Sequence, residues 1–489
     1  MDSQPKTYQV GTLTYTKSTL RRLFFWLLWG DFCYFMVETV VPSIIPLKFK
    51  ELGASNLLMG LILATIPKII SSILNPAISF RSDRFRSRWG RRIPFILVTM
   101  PLLVLCFFGL AFAVDISEWL RATSPALERS TSRAGMALIV LSVFLIAFDF
   151  FNSFVSAVFW YLFNDVVPEV YIARFMSWFR MVIMLTGMIY NWLVYKHALS
   201  HFREIFVGAG LLYLFGFGAM CLMVKEGSYP PPPQNDDGKT GVVSSIKTYF
   251  RDCLSLPHYW YLFLVGMAGS MAGAANMFNV FFQTKSMGLS LEMIGWLGIA
   301  GAIGCLIYVP IAGWLADRYH PIRVVLWGMV AAQAAIPVSF VWLFWQPSPM
   351  VYFYWAIGQG ILLTWPIGML ISMMDPPLLM RIFPRGLYGQ FCSARAMLGS
   401  VVGIFASALA GAYLDFLTKV FSERTAYCLI PAWTFVFSGV SLFFMFKLFH
   451  SWKRYGGDEN YVAPLPAHIA SQGEKPDGHT SGPGLMPSA

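Results

Sequence analysis

Residues 75–95 read NPAISFRSDRFRSRWGRRIPF, placing Arg81, Arg84, Arg86, Arg88, Arg91 and Arg92 beside the single acid Asp83. So many guanidinium groups do not lie in hydrocarbon. A basic connection this short, between two apolar stretches, marks the cytoplasmic side of a membrane. A related stretch, VPIAGWLADRYHPIR, occupies residues 309–323. Pro76 stands seven residues before Asp83, and Pro310 stands seven before Asp317. Phe80 corresponds to Trp314, Arg84 to Arg318 and Phe85 to Tyr319. The second copy lies half a chain after the first, so the chain reads as two halves built alike.

Composition agrees with a membrane solvent. The chain is 57% hydrophobic and 12% charged, against roughly 25% charged for a soluble domain. Mean hydropathy is +0.59. A length of 489 residues would otherwise make about three soluble domains, but the apolar runs reach the ~20 residues that cross a bilayer. The net charge of +11 does not indicate nucleic-acid binding, because the excess sits in connections of one parity. The seven cysteines are scattered, with neither metal-ligand nor redox spacing, and read as small buried apolar residues. The first 22 residues are polar and basic, and the next apolar run is long enough to stay as a span rather than a cleaved leader.

The apolar runs give twelve spans, at 23–47, 57–80, 94–114, 136–163, 175–195, 205–224, 257–284, 291–315, 324–345, 351–374, 391–414 and 425–449. The expected fold is an all-α integral membrane protein with twelve transmembrane helices in two pseudo-symmetric six-helix bundles. Its parts are an N-terminal arm (1–22), a first bundle (23–224), a linker (225–256), a second bundle (257–449) and a tail (450–489). An even number of spans puts both termini on one side. Most of the 36 Lys and Arg fall in the arm, the even-numbered connections, the linker and the tail, which makes that side the cytoplasm. Pro230–Pro233 stiffen the start of the linker. The stretch 453–489 is rich in Gly, Pro and polar residues and is expected to be largely disordered.

The twelve spans, the two alike halves and the Asp–Arg loops after spans 2 and 8 resemble the major facilitator superfamily. Its common loop motif is G-x-x-x-D-R-x-G-R-[RK]. Here Ser79 replaces the glycine, and four extra residues separate Arg84 from Gly90-Arg91-Arg92. This longer form resembles the proton-coupled sucrose transporters and their glycoside–cation symporter relatives. Val224-Lys-Glu226 before the proline run, and Asn164-Asp-Val-Val-Pro168 before Arg174, fit the same group. The resemblance covers residues 20–455. It implies a cytoplasmic gate built from Asp83, Arg84, Gly90, Arg91, Arg92, Asp317 and Arg318. In that gate Asp83 faces the start of span 11 near Phe391, and Asp317 does likewise near span 5. A carboxylate facing a helix N-terminus meets favourable unpaired N–H groups. The second copy lacks the closing Gly-Arg-Arg.

Ionisable groups at bilayer depth cost about 2.5–3.5 kcal/mol each even on the lenient scale, so they need a partner, a cavity or a purpose. Asp31 and Glu38 are seven apart on span 1, two helical turns on one face. Lys68 lies midway along span 2 and Asp149 midway along span 4. These four are the candidate proton or ion-coupling residues: Asp31 or Asp149 binds the proton, and Glu38 pairs with Lys68. Fixed ion pairs that only stabilise the bundle are the plainer reading of the same residues. Arg180 and Arg395 lie near span ends and can snorkel, and Asp415 reads as a rim charge. In the second half Asn276, Asn279 and Gln283 recur at helical spacing on span 7, and Trp355 and Gln359 are four apart on span 10. Amides beside aromatic faces match a sugar's hydroxyls and C–H faces, so these five are the candidate substrate-binding residues. Packing between helices would use the same residue types.

The function that follows is secondary active transport of a small polar organic solute, a sugar or glycoside, coupled to protons by alternating access. The alternatives are sodium-coupled or uncoupled movement of another solute, including a lipid-like one, and a receptor on the same fold. An enzyme is not expected, since His197, His201, His258, His320, His450, His468 and His479 all lie in connections, span ends or the tail. No cofactor or metal is expected. The expected partners are the solute, the coupling ion and the lipid bilayer, with no nucleic acid, for a monomer in the plasma or inner membrane.

Overall fold

The structure, a computed structural model, describes residues 8–10, 12–227, 253–384 and 388–464. Most of the expected linker and the last part of the tail lie outside the described residues. So do the side chains of Asp83, Arg84 and Asp317.

The described chain is helical apart from a small hairpin, β1 (Tyr8–Val10) and β2 (Leu13–Tyr15), antiparallel with Tyr8 opposite Tyr15. In lipid every backbone N–H and C=O must be satisfied within the segment, which leaves the helix as the spanning form for so apolar a chain. Twelve long helical segments follow. In the first half they are α1 (Lys17–Glu51), α2 (56–84), α3 (Ile93–Ala111), α4 (Arg133–Val166), α5 (169–197) and α6 (Phe202–Met223). In the second half they are α7 (Pro257–Ser286), α8 (Leu291–Arg318), α9 (Pro321–Phe344), α10 (Pro349–Ile382), α11 (Tyr388–Val420) and α12 (Glu423–Arg454). Eleven are long and apolar enough to cross a membrane. The exception is α5, whose apolar run is diluted by Arg180, Tyr190 and Asn191.

We call the face where α1 begins and α12 ends the terminal face, and the opposite one the far face. The way helices start differs between the two. At the far face Ser55, Ser132, Ser290, Ser348 and Ser422 cap α2, α4, α8, α10 and α12, each hydroxyl accepting a bond from the backbone N–H three residues on. A serine oxygen there satisfies one of the helix's orphan donors. At the terminal face Pro94, Pro257 and Pro321 stand in the first turns of α3, α7 and α9, where a missing N–H costs nothing.

Each six-helix half packs as a bundle. In the first, α3 lies against α4 and α6, and α1 against α5 and α6; in the second, α7 lies against α12 and α11, and α10 against α8 and α9. The halves meet along α2–α11 and α5–α8. Glycines permit that approach. A Cβ on Gly60 would lie 2.3 Å from the Ser407 carbonyl oxygen, one on Gly411 2.3 Å from that of Asn56, and one on Gly295 2.5 Å from that of Asn191. All three sites lie toward the far face.

The stretch after α12 departs from the expected disorder. Tyr461 donates to the Ile382 carbonyl at 2.8 Å and bonds His258 at 3.0 Å, and the Tyr259 hydroxyl donates to the Pro464 carbonyl at 2.8 Å. Residues 455–464 are thereby pinned to the terminal face of the second bundle. Burial pushes the Tyr461 phenol above its ordinary value, so it stays a donor across the physiological range.

Candidate functional site

The expected carboxylates of the first bundle come together in part. Asn152 Nδ2 donates to Glu38 Oε1, and the Tyr34 hydroxyl lies near both the Glu38 carboxylate and Ser156. Asp149 lies close enough to Glu38 for their charges to interact. Asp31, two turns before Glu38 on α1, is 1% exposed. Neither of its carboxylate oxygens has a hydrogen-bond partner among the described residues. A charged carboxylate buried in that way costs far more than a neutral carboxylic acid.

The expected Glu38–Lys68 pair does not form. Lys68 Nζ instead donates to the Gly403 carbonyl of α11 at 2.9 Å, crossing to the other bundle. The close approach of α2 and α11 explains this, because a Cβ on Gly403 would lie 3.0 Å from Lys68 Nζ. A mid-span position in the sequence does not say which way Lys68 faces; the packing of the halves decides that.

Lys68 lines a cavity of about 560 Å³ between the halves. Ala64 joins it from α2, while α7 and α11 supply the rest, including Ser270, Met277, Arg395, Ser400 and Ser407. The lining runs from Ser407, beside the far-face contact, to Cys392, one turn inside the terminal end of α11. Arg395 forms a two-bond ion pair with Asp375 of α10, at 2.8 and 2.7 Å. Sequence reading missed Asp375, which stands just past the expected end of span 10, before Pro376-Pro377.

None of the five expected substrate residues is among those lining the cavity. Around Asn276, Asn279 and Gln283, α7 changes winding, from a 3₁₀ turn (Ala274–Phe278) through Asn279–Phe281 to a π turn (Phe282–Ser286). A face drawn at 100° per residue therefore does not carry through. Trp355 meets Trp342 edge-on, with ring centroids 5.7 Å apart. Trp342 belongs to a far-face packing cluster with Tyr352, Met287 and Cys428. Gln359 is half-buried one turn further along α10.

Of the expected gate, Asp83, Arg84 and Asp317 fall outside the described side chains. Gly90, Arg91 and Arg92 make their observed contacts inside the first bundle. Arg91 Nε and Arg92 Nε donate to Asp165 at 2.9 and 3.1 Å. The backbone N–H groups of Arg91, Arg92 and Ile93 donate to the Glu226 carboxylate at 2.6–3.1 Å. Glu226 thus satisfies the first turn of α3 from the end of α6. Gly90 has φ +103°, and a Cβ there would lie 2.4 Å from the Glu226 side chain, so only glycine fits. The Arg318 guanidinium stacks on the rings of Trp314 and Tyr319, 5.4 and 6.0 Å from their centroids.

Asp415, read from sequence as a rim charge, ties the halves together at the far face. It accepts from the backbone N–H groups of Asn56 (2.9 Å) and Leu57 (2.8 Å), the first residues of α2, and from Asn56 Nδ2 (2.9 Å). The Tyr427 hydroxyl donates to Asn56 Oδ1 at 2.9 Å, and Lys50 pairs with Glu423 at 3.1 Å. Deeper along the same seam the Thr65 hydroxyl donates to the Ile404 carbonyl.

A family profile described as the Major Facilitator Superfamily matches residues 27–408. The chain belongs to the major facilitator superfamily. Solved structures share the fold of this facilitator protein at low identity. A bacterial homolog of the human lysosomal transporter Spinster, inward-facing and unoccupied, aligns with TM-score 0.61 and 13% identity over 92% of this chain and 100% of that one. A bacterial homologue of the iron transporter ferroportin, also inward-facing, gives 0.61 and 14% over 88% and 99%. A D-xylose–proton symporter gives 0.56 and 14% over 88% and 97%. No curated protein matches in sequence. The expected fold class, an all-helical facilitator membrane protein, therefore stands.

Proposed function

We propose that this facilitator protein is a secondary active transporter that moves a small polar organic solute, a sugar or glycoside, together with protons. The observation that carries the reading is the cavity between the halves, lined from both and closed off at the far face by α2–α11 and α5–α8. A chamber shared by two rocking halves is what alternating access requires. The basic connections support a cytoplasmic terminal face, with both termini on that side. Asp31 is the preferred proton carrier, because an unpartnered buried carboxyl is best stored neutral and must meet a different environment to release its proton. Glu38, held by Asn152, is a fixed acceptor, and Asp149 is the second candidate carrier. The sugar assignment is supported by the long loop form at Asp83–Arg92.

The test is uptake of labelled glucose, xylose and sucrose into proteoliposomes under an imposed pH gradient or sodium gradient, for wild type, Asp31→Asn and Asp149→Asn. Accumulation should follow the pH gradient and be lost in Asp31→Asn, while gradient-free exchange of solute survives. Accumulation that follows sodium alone refutes proton coupling. Binding without any movement of solute would make the protein a receptor on this fold.

A further inference from the structure

The cavity contains an excess of positive charge that the transport reading leaves unexplained. Lys68 has three N–H donors. Its one hydrogen bond among the described residues goes to the neutral Gly403 carbonyl. Among the described residues no carboxylate lies within ion-pairing distance of it, whereas Arg395 is matched by Asp375. Among the described residues the lining holds two cations, Lys68 and Arg395, and Asp375 neutralises the second from outside the lining. Lys68 packs against Gly403, and Arg395 stands eight residues earlier on the same helix, about 12 Å along its axis. Gly399 and Ser400 lie between them. Among the described residues Ser400 makes no hydrogen bond, and none of those lining the cavity is aromatic. A lone ammonium at this depth, with two donors to spare, is uneconomical in a chamber built for neutral solutes.

We propose that the solute is an organic anion whose carboxylate or phosphate is held by Lys68 Nζ, with its hydroxyl-bearing body over Gly399 and Ser400 toward Arg395. Lys68 supplies the charge from one half, while Ser400 and Arg395 supply donors from the other. The solute as a whole is thus bound only where both halves contribute. This assignment rests on the cavity being the solute chamber. It narrows the sugar reading to acidic or phosphorylated polyols and related organic anions.

The experiment is titration calorimetry on the purified full chain with glucose, sucrose, gluconate and glucose 6-phosphate, repeated with Lys68→Gln and Lys68→Arg. The two anionic probes separate carboxylate from phosphate recognition. At least one anion should bind more tightly than either neutral sugar. Lys68→Gln should weaken that anion by about 30-fold or more, the scale of losing one member of a buried charge pair, a much larger loss than for either neutral sugar. Lys68→Arg should restore most of the affinity. Neutral sugars binding as well as the anions to wild type, or neither anion binding at all, overturns the proposal without reference to how the variants fold. If glucose or sucrose accumulates under the pH gradient while neither anion binds, this assignment fails and the transporter reading stands. If an anion binds with the Lys68 signature but no solute moves under any gradient, the transporter reading fails and the anion site stands.

Discussion

Replacing Asp415 with alanine removes three acceptor contacts that exist only while the far face is closed: those from the backbone N–H groups of Asn56 and Leu57 and from Asn56 Nδ2. Hydrogen bonds to a charged group contribute about 1.5–3 kcal/mol each, and a carboxylate at a partly buried helix N-terminus up to ~2 kcal/mol. These are not additive, and the donors regain water when the faces part. A net of about 3 kcal/mol in favour of the closed state is therefore a fair value, and at ~1.4 kcal/mol per tenfold it is a shift of about 100-fold in the closed-to-open ratio. Spin labels at Ser130 and Gln346, on far-face connections of the two halves, would report the separation by pulsed electron resonance in a background lacking Cys305 and Cys392. The other five native cysteines are buried. Asp415→Ala should move population to a longer far-face distance. Asp415→Asn, which keeps an acceptor but no charge, should lie between. An unchanged distance distribution in folded Asp415→Ala would refute the idea that this contact holds the face shut. Equal opening in Asn and Ala would assign the effect to charge alone.

Three further outcomes follow from the same geometry. Gly411→Ala should open the far face like Asp415→Ala, because its Cβ meets the Asn56 backbone at 2.3 Å, whereas Gly358→Ala, with nothing within 4 Å, should leave the distances unchanged. Glu226→Gln should lower the thermal midpoint of the purified protein through a loss of about 2–3 kcal/mol, since three backbone donors at the start of α3 depend on its charge; Gly90→Ala should do so at least as strongly, adding backbone strain to the clash. Tyr461→Phe should speed proteolysis of the residues after α12, since its hydroxyl holds both His258 and the Ile382 carbonyl; the stability cost is about 1 kcal/mol, and a digest identical to wild type would show that segment to be held by other means.

How much of this was legible in sequence depends on the range of the interaction. The spans were, because the bilayer imposes length and apolarity on each segment independently of every other. The doubled Asp–Arg loop gave the two halves. Glu38 and Asp149 were found as mid-span acids, although Asn152, which fixes Glu38, looked like any span amide. Asp165 and Glu226 stood inside motifs that signalled likeness rather than a role. Their role depends on α4 and α6 ending beside Arg91 and Arg92, more than seventy residues away in the chain. The expected sugar face on α7 does not line this cavity, for a local reason. Its spacing assumed uniform α-helical winding, and the chain passes from a 3₁₀ to a π turn there.

The seam between α2 and α11 shows why the remaining assignments were out of reach. Lys68 and Asp415 both carry charge, and sequence puts one at mid-depth and the other at a rim. What each does depends on the surface it meets across the seam. Lys68 lands on a carbonyl because Gly403 has no side chain to hold α2 away, and Asp415 lands on N–H groups because Gly411 lets the start of α2 come within reach. A glycine records the need for close approach but not the identity of what approaches. The donors at the head of a helix belong to the backbone and leave no residue-type signal. Both charges therefore become readable only once the two halves are placed against each other, and that placement turns a rim aspartate into a clasp and an isolated lysine into a group facing a chamber.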